Sequence, residues 1–156
     1  MLRRLAAYES VAPLLLRIAI GLTFFLAGLS KVMGGTDRVA GFFGSLGIPL
    51  PSLMGPFIAY LELLGGLALI VGVLTRLFGL LFVANMVVAL LLVAAPKAFA
   101  GPNLAVGFND MRVEWLLLLG SAALALLSPG LFSVDAALLG DRPEPLVEQP
   151  RPARQL

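Results

Sequence analysis

FIAYLELLGGLALIVGVLTR, residues 57–76, is almost wholly apolar, yet it carries Glu62 near its beginning and Arg76 at its end. An α-helix rises about 1.5 Å per residue, so this stretch spans about 30 Å, the thickness of a bilayer's hydrocarbon core. A carboxylate inside such a segment costs about 2.5–3.5 kcal/mol on insertion scales, so it turns toward protein or water and takes a partner. The remaining segments are therefore read for what stands opposite Glu62.

The whole chain supports a membrane reading. Of its 156 residues, 60% are hydrophobic and 13% charged, a balance that one soluble domain of this length cannot bury. The net charge is only +2 and the basic residues are scattered, which excludes a nucleic-acid binder. No cysteine is present, so a disulfide, a thiol relay and an iron–sulfur cluster are excluded. No histidine is present either, which removes ordinary b-type haem ligation, a His-based metal site and a Ser–His triad. Any redox role requires another subunit or a bound small molecule to carry electrons, and the chain is not expected to be catalytic alone.

Hydropathy predicts an all-α membrane protein, a bundle of four transmembrane helices over about 11–33, 57–74, 77–95 and 109–128, within one domain spanning 1–140. Arg3 and Arg4 before an apolar run suggest a signal peptide, but the run is too long for one and reads as a retained first helix. Arg17, Gly21, Phe24, Gly28 and Lys31 follow at steps of 4, 3, 4 and 3, which sets them on one helical face. That face is either a packing seam with snorkelling basic ends or a cleft lined by Lys31 or Arg17. In the loop 34–55, Val39, Phe42, Phe43 and Leu46 fit a short helix lying in the membrane interface. Gly47, Pro49, Pro51 and Pro56 punctuate the entry to helix two, and Thr75-Arg76 leaves room only for a tight hairpin into helix three.

Helix three carries Asn85 at mid-length, suited to an interhelical hydrogen bond of about 0.5–1.5 kcal/mol, and Pro96-Lys97 is read as its end. A second loop over 98–110 precedes helix four. The apolar run Trp115–Leu127 is too short to cross alone, so a crossing has to start near Asn109 or Asp110. Asp110, Glu114, Leu117, Ser121, Ala125 and Ser128 then form a polar-edged stripe, and Pro129-Gly130 stops the helix. Residues 141–156, rich in Pro, Glu, Gln and Arg, read as a disordered polar tail.

Four crossings place both termini on one side, with Arg3, Arg4, Arg76, Arg142, Arg151 and Arg154, against Lys31, Arg38, Lys97 and Arg112 on the other. This six-to-four bias favours cytoplasmic termini. Helix one ends at Lys31 on the loop side, and helices two and four begin there. Lys31, Glu62, Asp110, Arg112 and Glu114 thus fall in one layer, with Lys31 the first candidate partner of Glu62, Arg112 the second and Arg17 the third. Such a cluster either fixes helix register as a buried ion pair or forms a polar pocket for a quinone-like headgroup or another amphiphile. Its carboxylates are too few for a metal site.

These segments resemble the DoxX family of small bacterial four-helix membrane proteins. The resemblance rests on LLLRIAIGLTFFLAGLSKVMG, with Arg17, Gly21, Gly28 and Lys31, and on AYLELLGGLALIVGVLTR, with Glu62, Gly65, Gly66, Gly72 and Arg76. It rests also on SPGLFSVDAALLG, where Ser133 and Asp135 match, while Ser128 and Leu131 replace the commoner glycine and basic residue. It implies a multi-pass protein of the bacterial inner membrane. The family takes its name from a membrane subunit associated with thiosulfate:quinone oxidoreductase and a quinol oxidase. The implied role is a non-catalytic subunit or anchor of a quinone-linked redox complex, with lipid, a redox protein or a second copy as partners. A stand-alone binding or transport protein for a small amphiphile is the alternative.

Overall fold

The structure, a computed structural model, describes residues 11–127 and 133–139. The readings of Arg3-Arg4, Ser128, Pro129-Gly130 and the tail lie outside these residues. Every regular element among the described residues is helical.

Helix α1, Val11–Met33, ends where its apolar run predicts. Helix α2, Thr36–Ser45, is the amphipathic piece of the first loop. Helix α3 covers Pro51–Val71 and so begins ahead of the expected Phe57. Pro51 is compatible with this start as the first helical residue, where a missing N–H costs nothing and the fixed φ is already helical, whereas Pro56 lies inside the helix and gives up one backbone hydrogen bond. The added turns pack on α2, where a Cβ on Gly55 would stand 2.9 Å from the Ala40 Cα.

Gly72, with φ 81°, ends α3 in the left-handed region that glycine adopts without strain. Helix α4, Thr75–Ala89, follows after three residues, so the hairpin turn is Gly72–Leu74 rather than Thr75-Arg76. Pro96 does not end the helix as its ring suggests. A π-helical segment, Leu90–Ala94, leads into α5, Ala95–Phe99, and the Ala95 N–H reaches back five residues to the Leu90 carbonyl. The widened turn makes room for a residue that lacks an N–H and would crowd the preceding carbonyls.

The second loop is also partly helical. Asn103 caps α6, Leu104–Asp110, by accepting the Val106 N–H at 3.0 Å. Met111 separates α6 from α7, Arg112–Leu126, and a short α8 spans Val134–Leu139. Among the described residues, three stretches are long and apolar enough to cross a membrane: α1, α3 and the run Thr75–Phe99. The helix expected over 109–128 is split at Met111, and neither piece alone has that length.

Glycine sets how closely α1 and α3 approach. A Cβ on Gly66 would stand 2.7 Å from the Gly21 carbonyl oxygen, and one on Gly28 would stand 2.7 Å from the Leu63 Cα. Ile20, Phe24, Leu69, Phe82, Met86 and Leu124 form the core, in which the Phe24 and Phe82 rings stack at 3.8 Å and 6°. The opposite faces expose Leu15, Leu64, Leu80, Leu91, Leu116 and Leu119, an apolar belt suited to acyl chains.

Candidate functional site

Glu62 sits on the buried face of α3, where Gly28 admits the backbone of Glu62 and Leu63 against α1. Lys31 stands one turn beyond Gly28 on the same face, so the close approach brings its ammonium to the carboxylate. Lys31 Nζ donates to Glu62 Oε2 in a salt bridge. From the other flank Asn85 Nδ2 on α4 donates to Glu62 Oε1 at 3.0 Å. Both carboxylate oxygens are thus satisfied, which is what a group only 3% exposed requires.

This ionic and amide group forms part of the wall of a cavity of about 530 Å³. Helix α2 supplies Arg38, Val39, Phe42 and Phe43; α3 supplies Met54, Phe57, Ile58 and Leu61. On the far side α4 contributes Leu81, Ala84, Val88 and Ala89, and the π-helical segment Leu92 and Val93. A few convergent polar groups among apolar walls, in a volume of this size, are what small amphiphile sites offer.

The other residues of the expected layer are elsewhere. Asp110 and Arg112 are exposed, and Arg112 donates to Asn109 on the neighbouring turn. Glu114 is half-buried, its Oε2 has no hydrogen-bond partner among the described residues, and it does not line the cavity. Asp110, Arg112 and Glu114 share only their depth with Lys31 and Glu62. The rotation of α6 and α7 about their axes, which depth does not determine, turns them away from the cavity.

Arg17 belongs to a second centre at the opposite end of α1. It is fully buried, its guanidinium lies against the Cα of Gly72, and Asp135 is the acid whose charge acts on it. Asp135 on α8 also accepts the Leu74 N–H and the Thr75 N–H, each at 2.8 Å, and donates its own N–H to the Gly72 carbonyl at 3.0 Å. A residue sixty positions downstream therefore caps α4. Asp135 is absent from the sequence-predicted site residues, although the third motif contains it. No periodicity links Ser133 and Asp135 to the hairpin turn.

The protein-family model DoxX matches residues 12–95, which contain Lys31, Glu62, Asn85 and Arg17. The chain belongs to the DoxX family. CatD of Bacillus subtilis, provisionally named an oxidoreductase, is 37% identical over 125 residues, covering 80% of this chain and 85% of CatD. The inner membrane protein YqjF of Escherichia coli is 30% identical over 132 residues, covering 83% of this chain and 94% of YqjF. A membrane protein of Mycobacterium tuberculosis is 29% identical over 141 residues, covering 87% of this chain and 86% of its own. No solved structure matches the chain significantly. With its apolar helices, this DoxX-family chain is a membrane protein.

Proposed function

We propose that this chain is a non-catalytic membrane subunit or anchor of a quinone-linked redox complex, and that its cavity holds the headgroup of a membrane amphiphile. The observation that carries this reading is the Lys31–Glu62–Asn85 group in the wall of an otherwise apolar cavity. The provisional oxidoreductase name of CatD supports the redox half. A quinone fits the residues present: its carbonyls accept hydrogen bonds, and Lys31 has ammonium protons beyond the one given to Glu62. When bound, a quinone would supply the electron-carrying chemistry; Lys31, Arg38 and Asn85 would hold and orient it.

The proposal includes four crossings, with α6 and α7 together making the fourth, and α2 lying in the interface. It places the chain in the bacterial inner membrane with both termini in the cytoplasm. YqjF, named as an inner membrane protein, supports the choice of membrane, the amphipathic face of α2 supports its interfacial place, and the six-to-four bias of basic residues supports the orientation of the termini. The second reading, a stand-alone carrier or receptor for a small amphiphile, is favoured by a cavity built from one copy of the chain.

Purification from native membranes in mild detergent separates the two. Co-purification of a dehydrogenase or another redox protein, lost in Glu62→Gln while the chain still inserts and folds, supports the subunit reading. Recovery of the chain alone or as a homo-oligomer with bound lipid overturns it in favour of the second.

A further inference from the structure

The hydrogen-bonding capacity left over at the cavity wall is lopsided. Each Glu62 oxygen already accepts one hydrogen bond, from Lys31 and from Asn85, and the Asn85 amide oxygen is the other acceptor at this wall. Lys31 keeps two ammonium protons, and Arg38, which also lines the cavity, makes no side-chain hydrogen bond or ion pair among the described residues. Arg38 is exposed, and apart from Lys31, Glu62 and Asn85 the residues that line the cavity with it are apolar, so its five N–H donors are available to a headgroup. The cavity-lining charges are two cations and one carboxylate, a net excess of one positive charge.

From this imbalance we infer that the cavity selects a single-chain amphiphile with an anionic, acceptor-only headgroup, a carboxylate in the first instance, held by Arg38 and Lys31. The inference rests on the reading of the cavity as an amphiphile site; it does not rest on the redox assignment. A guanidinium and an ammonium converging on a carboxylate form charge-assisted bonds, the strong class of hydrogen bond. A hydroxyl headgroup gives Arg38 no counter-charge, and a neutral quinone carbonyl gives it only a weaker acceptor. The apolar wall matches the tail: from Leu81 to Val93 it runs for about 18 Å along α4 and the π-helical segment.

The test uses the full-length protein in nanodiscs of zwitterionic lipid and a diazirine-bearing dodecanoate as photo-crosslinker, with labelled peptides mapped by mass spectrometry. Labelling is expected on the peptides carrying Phe42 and Leu92. Dodecanoate should compete at about tenfold lower concentration than dodecanol, a gap set by one charge-assisted bond. Arg38→Gln should narrow that gap, while Lys97→Gln, which removes an exposed cation that does not line the cavity, should leave it unchanged. Equal competition by the alcohol and the acid, or an Arg38→Gln variant that keeps the full gap, overturns the inference. Decylubiquinone competing better than dodecanoate overturns it too, and leaves the amphiphile-site reading standing. Labelling that no amphiphile competes away overturns both.

Discussion

Glu62 accepts from two side chains of different kinds, and substitution can separate their contributions. Glu62→Ala leaves Lys31 without a counter-charge and Asn85 without an acceptor, a change expected to cost about 3–5 kcal/mol. Glu62→Gln keeps the shape and one acceptor, and should lower the detergent melting temperature less. Combining Glu62→Gln with Lys31→Met should give a coupling energy of about 0.5–3 kcal/mol in a double-mutant melting cycle; strict additivity would show that the ion pair contributes nothing. Asn85→Leu strips a donor from a buried oxygen and should cost about 1–3 kcal/mol. The sequence makes Lys31 a readable neighbour of Glu62, because the two positions lie at the same depth near the loop ends of their helices. Asn85 reads only as an interhelical donor with no acceptor named, since nothing periodic ties position 85 to position 62.

Elements are positioned here by small residues and by one distant carboxylate. Gly28→Leu drives a side chain into the backbone of Leu63 and should separate α1 from α3, disconnecting Lys31 from Glu62 even though both remain. The check is the double-mutant cycle repeated in the Gly28→Leu background, where the coupling should vanish. Asp135→Ala removes the acceptor of two N–H groups at the start of α4 and should cost about 1–2 kcal/mol, read as a lower melting temperature. Helix existence was legible where hydrophobicity ran long, as in α1, whose end at Met33 matches the structure. The start of α3 was not, because Pro51 and Pro56 both read as punctuation, although one opens the helix and the other lies inside it. The π-helical segment before Pro96 leaves no trace in composition, since Leu90–Ala94 is as apolar as the turns before it.

For the whole molecule, the proposed topology is the feature with the largest consequences. The chain has no native cysteine, so single introduced cysteines report without background. Gly47→Cys and Ala100→Cys are expected to react with an impermeant maleimide from one side of the membrane, and Leu74→Cys from the other. Opposite reactivity of the first two would rule out the four-crossing arrangement. The membrane class was legible from hydrophobic content alone. The division of labour between the two ends of the bundle was not: it depends on how α7 and α8 turn their polar residues, and sequence spacing does not fix a rotation.

The hairpin between α3 and α4 carries a consequence for biogenesis. The carboxylate that completes its turn is synthesised sixty residues after Thr75, so a nascent chain folds this hairpin with the Leu74 and Thr75 donors still bare. Ribosomal arrest or cleavage ahead of residue 135 would yield a protein with its cavity residues in place and its opposite end unsealed. Docking of Asp135 therefore comes late in synthesis, after every residue that lines the cavity has been made.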